Sequence, residues 1–444
     1  MSVHPVDAER RPCSLSSAAA PSARGQAAAA PDALRSGAPL AHGGDRALQL
    51  VRMSHARLAA LLHDARMRGD GFDRAFPGAL GAACIGAAGL RDESYAGSHS
   101  ESQAESQSES QADTAARMLA DAAPDLPVAP VRMALLGAGV APGNAVCEIW
   151  QCNARDLRSE RRGALHYRYS ETAGLVFGSI VVHEAHDAQR DGGTPLERAT
   201  RDAYRMLFDV LDTLGMPHPL RIWNTVPAIN AVQFGIERYR QFNIGRQHAF
   251  DACRRALTGG VPAACALGSV VPVAGDASPD APLAIHFLAS RTPADPVENP
   301  RQVSAYHYPA QYGPRAPTFA RAAAWADGDA APVLFVSGTA SIVGHRTVHR
   351  GDVVAQTREA VANLAAVLEQ AARQGHGPFS LADLSYRVYV RDAGDAAALA
   401  AIDRALRDAA GPGVRPLFVH ADVCRDDLLV EIEASAGHAV EWLS

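Results

Sequence analysis

The sequence predicts an α+β fold in which mixed β-sheets are packed by helices. Two observations lead to this prediction. From about residue 128 onward, short apolar strands alternate with amphipathic helices, and the same order of elements occurs twice. The first copy falls in residues 126–300 and the second in residues 301–444. We therefore expect two tandem domains of one fold, preceded by a long N-terminal arm.

The N-terminal arm, residues 1–125, is rich in Ala, Ser, Gly, Pro and Arg. It contains the polar run SHSESQAESQSESQADT, whose only apolar residues are alanines. Such a segment cannot bury enough apolar surface to offset the entropy lost on ordering. We expect the arm to be largely disordered, above all over residues 97–114. Residues 46–68 nevertheless have the apolar spacing of a helix.

The first copy contains a helix with clear start signals. Thr194 is suited to the N-cap, Pro195 to the first helical position, and Glu197 completes a capping box. The expected elements of this copy are a strand at 175–185, a helix at 194–215, a strand at 220–227, a helix at 236–257, and strands at 263–272 and 283–290.

The second copy repeats this order element by element. Its first helix is closed by Gly375, a residue type that commonly follows the last turn. The expected elements are a strand at 332–342, a helix at 351–375, a strand at 384–392, a helix at 395–411, and strands at 415–423 and 428–435.

Two carboxylates lie on one face of the last strand. Because side chains alternate along a strand, Glu431 and Glu433 point the same way. Such a face usually looks at water, since carboxylates are seldom buried. Alignment of the two copies, however, sets His286 against Glu431 and Leu288 against Glu433. We therefore predict a carboxylate site in the second copy that the first copy lacks.

Composition excludes several classes of partner. The chain has 42 Lys and Arg against 48 Asp and Glu, a formal net charge of −6, which offers no basic field for nucleic acid or an anionic membrane. Seven cysteines without a CxxC pair suggest a reducing cytoplasm rather than a disulfide framework. No apolar run approaches the ~20 residues of a membrane span, and no signal-peptide pattern is present.

Several motifs carry a family resemblance. The second copy resembles the RidA/YjgF family of α+β domains through FVSGTASIVG, REAVANLAAVLE, YRVYVRD and VEIEA. Over residues 145–436 the chain is identified as a member of the chorismatases, which include the 3-hydroxybenzoate synthases. The motifs that carry this assignment are RIWNTVPAIN, ERYRQFNIGR, VENPRQVSAYHYPAQYGPRAPTFARA, SGTASIVGHRTVHRGDVVAQ and DVCRDDLLVEIEA.

This resemblance implies a substrate, a reaction and a set of residues. The implied substrate is chorismate, one implied product is pyruvate, and neither a metal nor an organic cofactor is required. The family's acid/base glutamate corresponds to Glu431. Its substrate-contacting residues correspond to Tyr239, Arg246, Tyr308 and Arg321.

The residue types suit the chemistry of that substrate. Chorismate carries two carboxylates, and the planar guanidinium of arginine binds a carboxylate through two parallel hydrogen bonds. Arg246 and Arg321 are the candidates, with Arg315 in reserve. Tyr239 and Tyr308 can donate hydrogen bonds while their rings pack on the substrate. The alternatives are surface arginines and core tyrosines.

Gly338 and Thr339 follow the segment PVLFVS of a predicted strand, where backbone N–H groups could approach a substrate oxygen closely. A simple turn at the end of the strand explains them equally well. Cleavage of an enol ether requires an acid that is protonated near neutral pH. Burial raises the pKa of a glutamic acid, so Glu431 on an apolar strand fits this role. Glu433 is then either its partner or a solvated bystander.

Cys424 is the residue that distinguishes two reactions within the family. A small residue at this place goes with hydrolysis to a dihydroxycyclohexadiene carboxylate, and cysteine goes with 3-hydroxybenzoate formation. A thiol could fill the space from which water would attack and help to open an arene-oxide intermediate. The alternative is a buried, inert cysteine, the usual state of free cysteines.

Metal and dinucleotide sites are not expected. HEAHD at 183–187 has its histidines three residues apart rather than four, and His345 and His349 lie in a glycine-flanked segment without a third ligand. GAGVAPG lacks the GxGxxG pattern.

The favoured function is conversion of chorismate to 3-hydroxybenzoate and pyruvate, with 4-hydroxybenzoate as a potential minor product. The alternatives are hydrolysis to the diol, RidA-type imine deamination, and a non-catalytic metabolite-binding module. The tandem repeat favours a monomer, because it can form within one chain an interface that single-domain relatives build from separate subunits.

Overall fold

Short strands and helices alternate along the chain in a computed structural model that describes residues 47–86, 111–137, 145–185, 192–269, 281–328 and 330–443. Within these residues the strands are β1 (Leu48–Ser54), β2 (Ala79–Gly86), β3 (Val128–Arg132), β4 (Leu135–Leu136), β5 (Val146–Cys152), β6 (Leu157–Arg162), β7 (Leu165–Ser170), β8 (Leu175–Val182), β9 (His218–Pro227), β10 (Val232–Gln233), β11 (Ile236–Glu237), β12 (Ala263–Ser269), β13 (Leu283–Ser290), β14 (Asp295–Val297), β15 (Ala322–Trp325), β16 (Val333–Ala340), β17 (Ile342–Val343), β18 (Arg346–Thr347), β19 (Ser385–Val390), β20 (Leu417–His420), β21 (Val430–Ala436) and β22 (Ala439–Leu443). The α-helices are α1 (His55–Met67), α2 (Phe72–Ala75), α3 (Gln111–Ala122), α4 (Pro195–Thr213), α5 (Arg238–Ala252), α6 (Val353–Arg373) and α7 (Ala396–Ala410).

The strands of the described residues form three large mixed sheets. Sheet 1 has the order β22-β1-β5-β2-β3, sheet 2 the order β12-β9-β13-β8-β7-β6, and sheet 3 the order β14-β15-β16-β21-β19-β20-β4. Each sheet contains parallel and antiparallel pairs, such as β12 parallel to β9 and β13 antiparallel to β8. The predicted α+β class is confirmed.

The three sheets share one internal order. Strands β12-β9-β13-β8 of sheet 2 correspond to β20-β19-β21-β16 of sheet 3, and helices α4 and α5 correspond to α6 and α7. This is the repeat expected from the sequence. Strands β3-β2-β5-β1 of sheet 1 follow the same order, with α1 and α3 in the helix positions. The fold therefore contains three copies of the unit: repeat 1 (48–152), repeat 2 (157–290) and repeat 3 (295–436).

Repeat 1 differs from the expected N-terminal arm. Residues 48–86 and 111–122, predicted to be largely disordered, form β1, β2 and three helices. The expected helix over 46–68 is correct only from His55, where Ser54 caps α1; residues 48–54 form a buried strand instead. These strands form because they bury an apolar face against the other repeats. The composition of a local segment does not reveal such a tertiary contact. Residues 1–46 and 87–110 lie outside the described residues.

The sheets face inward and the helices cover their outer faces. A common core between the sheets contains Trp150 from sheet 1, Trp223 from sheet 2 and Phe335 from sheet 3. Separate apolar clusters lie between each sheet and its own helices. Inward-facing side chains of every sheet therefore meet near the centre of the molecule.

Local signals position the helices as expected. The Thr194 side chain accepts a hydrogen bond from the Glu197 backbone N–H at 3.3 Å, and Pro195 opens α4. Gly375 follows α6 with a φ of 87°, the left-handed conformation that favours glycine. None of the described helices is both long and apolar enough to cross a bilayer. The domain boundaries near residues 125 and 300 stay predictions.

Candidate active site

A cavity of about 590 Å³ lies between sheets 2 and 3. Its inner wall comes from β12, β16 and β21, and its sides come from the start of α5 and from the segments 308–321, 346–350 and 424–427. Every described lining residue falls between Glu237 and Glu431, so the described part of repeat 1 contributes none. A volume of this size, bordered by polar and apolar groups, is typical of a small-molecule site.

Glu431 reaches the cavity because the neighbouring strand is bulged. The pairing of β16 with β21 shifts between Val336 and Thr339, and Gly338 lies at this irregularity. A Cβ atom on residue 338 would lie 1.8 Å from Glu431 Oε1, so only glycine leaves room for the carboxyl group. The bulge and the glycine together hold the Glu431 side chain against the cavity.

The carboxyl group of Glu431 is buried and protonated near neutral pH. The residue is 4% exposed. Burial, helped by the nearby charge of Glu433, raises the pKa of Glu431 from 4.5 to about 8, although Arg221 and Arg321 oppose the shift. The solvated-face alternative is therefore wrong for both glutamates, because Glu433 is also buried.

Glu433 belongs to a buried ionic chain that joins the three sheets. One of its carboxylate oxygens accepts from Arg221, and the other accepts from Trp223 Nε1 at 3.1 Å and contacts Arg387 Nη1 at 3.0 Å. Arg387 also donates to Glu148, which accepts from Arg52 Nε at 2.8 Å. The order of the chain is Arg52–Glu148–Arg387–Glu433–Arg221.

This ionic chain separates the protonation states of the two glutamates. Burial opposes ionisation of Glu433, but Arg387 and Arg221 outweigh it and lower the pKa of Glu433. Glu433 is therefore a carboxylate, and its charge disfavours a second negative charge on Glu431 two residues away. One strand thus presents an anion to the ionic chain and an acid to the cavity.

Arg246 and Arg321 bring positive charge to the cavity. Arg246 donates from Nη2 to Asn243 Oδ1 at 2.8 Å, and Arg321 donates from Nη2 to Val303 O and to the Tyr308 hydroxyl, both at 2.9 Å. Both are buried, neither has a carboxylate within 4 Å among the described residues, and their Nε groups have no partner there. Buried charges are normally paired, so these two are suited to anionic groups of a ligand.

The predicted tyrosines and cysteine also line the cavity. Burial raises the pKa of Tyr239, so its hydroxyl stays protonated and can donate. Tyr308 is held by Arg321, whose guanidinium lies 5.7 Å from the ring centroid. Burial, followed by the charge of Glu431, raises the pKa of Cys424 to about 12, so this side chain is a neutral thiol.

Two predicted residues are not brought to the cavity. Arg315 is exposed and does not line the cavity, although Tyr312 and Pro317 on either side of it do. Thr339 is buried within β16, and its hydroxyl donates to Ser337 O at 2.8 Å. Gly338 lines the cavity, but as the residue that makes room for Glu431.

Arg425 and Cys265 are among the cavity residues that the sequence did not predict. The Arg425 guanidinium lies 4.1 Å from the ring centroid of Tyr312 and 5.3 Å from that of Tyr308. Arg425 directly follows Cys424 in the sequence, and its positive charge could have marked it as a candidate to bind an anionic substrate. Cys265, on β12, lies beside the Glu433 carboxylate. An apolar strand such as AACALGS gave no sign of this.

The equivalent position in repeat 2 is filled by an aromatic stack. His286, aligned with Glu431, is buried and stacks on Trp223 with centroids 4.7 Å apart and planes 10° apart. Burial lowers the pKa of His286 to about 3, so it is neutral. The carboxylate site predicted for the second copy alone therefore has no counterpart at this position.

Residues that could ligate a metal do not converge in the described part of the chain. His345 Nδ1 lies 3.1 Å from the Tyr312 hydroxyl, whereas His349 Nε2 lies 3.4 Å from Glu359. His186 and Asp187 of the HEAHD motif lie outside the described residues.

The chain is similar to known chorismatases in both sequence and structure. Residues 148–289 match the family described as "Chorismatase FkbO/Hyg5-like, N-terminal". The chain is 41% identical over 298 residues to a 3-hydroxybenzoate synthase of Streptomyces hygroscopicus, covering 64% of this chain and 80% of that protein. It is 39% identical to a chorismatase of Streptomyces rapamycinicus, over 60% of this chain and 75% of that protein. A crystal structure of a chorismatase superposes with a TM-score of 0.62 at 28% identity, covering 81% of this chain and 92% of that one.

The fold and the cavity define an enzyme that acts on a small molecule, with a buried carboxylic acid and two buried arginines whose Nε groups have no partner among the described residues. The similarity extends through most of the length of the relatives. The chain belongs to the chorismatase family.

Proposed function

We propose that the enzyme converts chorismate to 3-hydroxybenzoate and pyruvate in the cavity between sheets 2 and 3. The observation that carries the proposal is the pairing of a protonated Glu431 with two buried arginines that lack carboxylate partners in the described residues. A dianion with a bond that acid can cleave complements this site in both charge and chemistry. An imine substrate with one carboxylate would leave one arginine unpaired.

The charges assign roles to the residues. Arg246 and Arg321 bind the two carboxylates of the substrate, and Tyr239 and Tyr308 donate further hydrogen bonds and pack against the ring. Thr339 and Arg315 receive no part, because the cavity wall does not include them. Arg425, stacked on two tyrosines at the cavity, replaces Arg315 as the third arginine.

Glu431 acts as the general acid and then as the base. It transfers its proton to the methylene carbon of the enolpyruvyl group, and the ring carbon–oxygen bond breaks as pyruvate leaves. The neighbouring ring hydroxyl oxygen bonds to the same ring carbon, forming an arene oxide, and its proton returns to the Glu431 carboxylate. The epoxide opens at the other carbon, and loss of a ring proton gives the aromatic product. Chorismate minus pyruvate balances as hydroxybenzoate, so no water enters.

Incubation of the purified protein with chorismate in oxygen-18 water tests this route. We expect equal amounts of pyruvate and 3-hydroxybenzoate, with no label in the aromatic product by mass spectrometry. Label in the hydroxybenzoate would contradict the arene-oxide route. The diol as the main product would indicate hydrolysis, and unchanged chorismate with saturable binding would indicate a non-catalytic module.

Cys424→Ala is expected to change the product rather than abolish turnover. The thiol lines the cavity seven residues before Glu431, and its removal opens space for water next to the reacting carbon. We expect the diol to become a major product while pyruvate release continues, measured by chromatography of both variants. The control is Cys253→Ala, which changes a thiol outside the cavity wall. An unchanged product ratio in Cys424→Ala would remove Cys424 from this role.

The proposal includes a monomer in the cytoplasm. Three repeats in one chain already cover the inward face of each sheet. The described cysteines are all free thiols, which suits a reducing compartment.

A further inference from the structure

The segment that carries Cys424 has no regular structure of its own. Residues 421–429, here called the cysteine loop, connect β20 to β21 and bring Cys424, Arg425 and Asp427 to the cavity wall. A loop without a strand or helix depends on other groups to satisfy and fix its backbone. The groups that do so determine where the thiol lies.

The Arg391 side chain fixes the backbone of the cysteine loop through hydrogen bonds to its carbonyl groups. Its Nε donates to Leu428 O at 2.9 Å, and its Nη2 donates to Val423 O at 3.0 Å and to Arg425 O at 2.8 Å. The carbonyls of residues 423 and 425 are those on either side of Cys424. Arg391 itself lies outside the cavity wall. One guanidinium therefore holds the backbone around the thiol without approaching the ligand space.

The remaining donor of Arg391 ties the loop to repeat 2. Its Nη1 donates to Asp422 Oδ1 at 2.5 Å and to Asn230 Oδ1 at 3.0 Å. Asn230 follows β9, in the segment that leads to Tyr239 on α5. The Arg391 guanidinium therefore fixes the position of the cysteine loop relative to the segment on the opposite side of the cavity.

A second anchor holds the start of the loop. Gly268 N donates to Asp422 O at 2.8 Å, and Asp422 N donates to Gly268 O at 3.2 Å. A Cβ atom on residue 268 would lie 2.6 Å from Asp422 Cβ and 2.7 Å from Ile229 Cγ2. No side chain fits there unless the loop moves.

We propose that Arg391 is a positioning residue that determines product selectivity by fixing the Cys424 thiol over the reacting ring. The inference rests on the proposed function, since it needs Cys424 to choose between arene-oxide opening and attack by water. The planar fork binds three carbonyls and two side-chain oxygens at once. Lysine offers a single ammonium centre and cannot reproduce that geometry. A displacement of the loop by about 1 Å is enough to change the position of the thiol relative to the reacting carbon, and with it the relative rates of the two reactions.

The test is Arg391→Lys with chorismate as substrate. We expect the ratio of diol to 3-hydroxybenzoate to rise by about tenfold, the change in relative rate that the loss of one charged hydrogen bond produces. Arg407→Lys is the matched control: Arg407 Nη1 likewise donates to two backbone carbonyls, Pro412 O at 2.9 Å and Val414 O at 2.8 Å, outside the cavity wall. A purely structural role would alter melting temperature and total turnover in both variants without changing the ratio.

An unchanged product ratio in a folded, active Arg391→Lys enzyme overturns the inference. If that variant does not fold, Gly268→Ala decides, because it displaces the loop from its other anchor and should shift the ratio in the same direction. A failure of the proposed function and a failure of the proposed role of Arg391 give different experimental results. A wild type that makes no 3-hydroxybenzoate refutes the proposed function, whereas a wild type that makes it together with variants of unchanged ratio refutes only the role of Arg391.

Discussion

Glu431→Gln is expected to lower kcat for chorismate by about a hundred- to ten-thousand-fold, the contribution of a positioned general acid. Glutamine keeps the shape of the side chain but has no proton to transfer. The measurement is pyruvate release under saturating substrate. Binding of chorismate should persist, because Arg246 and Arg321 remain in place. The control is Glu369→Gln, which alters an exposed carboxylate paired with Arg373 far from the cavity wall.

The same variant has an independent thermodynamic signature. The pKa of Glu431 is about 8 in the folded protein against an ordinary 4.5, so folding retains its proton. This stabilisation is fully present below pH ~4.5 and is lost as pH rises toward 8. Glutamine does not ionise, so the variant does not lose this contribution to the unfolding free energy as the pH rises. We expect Glu431→Gln to gain a few kcal/mol of unfolding free energy over wild type at pH 8, but about none at pH 4.5.

A difference between Glu431→Gln and wild type that does not change with pH would show that the carboxyl group is not protonated in the folded state. In the wild type, kcat/KM should fall as pH rises through about 8, because the acid form of Glu431 in the free enzyme disappears.

Glu433→Gln is expected to cost about 3–5 kcal/mol of unfolding free energy, because it leaves Arg221 and Arg387 buried without their shared carboxylate. The substitution should also move the decline of kcat/KM to lower pH. Removal of the Glu433 charge, together with the uncovered positive charge of Arg221, lowers the pKa of Glu431. The measurements are urea unfolding and the pH profile of kcat/KM.

Glu148→Gln is the matched control for this effect. Glu148 is equally buried and pairs with Arg52 and Arg387, so its loss should destabilise the protein by a similar amount. It lies one arginine further along the ionic chain from Glu431. We therefore expect little change in the pH profile of Glu148→Gln. Equal pH shifts in the two variants would show that the profile reports general loosening of the structure rather than the charge of Glu433.

The elements of repeats 2 and 3 were predictable because their signals are local. Capping at Thr194 and the regular apolar spacing of α4 and α6 define helices without reference to the rest of the chain. The location of Glu431 also followed from a local pattern, the comparison of two equivalent strands. Residue patterns in contiguous segments were sufficient for these features.

Repeat 1 and the ionic chain could not be predicted in this way. The unit at 48–152 is interrupted by the polar run after β2, so its periodicity is hidden in a segment of biased composition. Arg52, Glu148 and Arg387 are far apart in sequence and meet only because three sheets face one centre. Their burial depends on tertiary pairing, which single-sequence patterns do not contain.

Strand β22, which follows the strand β21 that carries Glu431, pairs in parallel with β1 of repeat 1. The residues of repeat 1 that the structure describes supply no atom of the cavity wall, yet through β22 and Glu148 this repeat is joined to both β21 and Arg387. Deletion of repeat 1, to make a shorter enzyme from repeats 2 and 3, would therefore expose one side of the central core to solvent. Repeat 1, whose described residues lie outside the cavity wall, therefore supports the strand that carries Glu431.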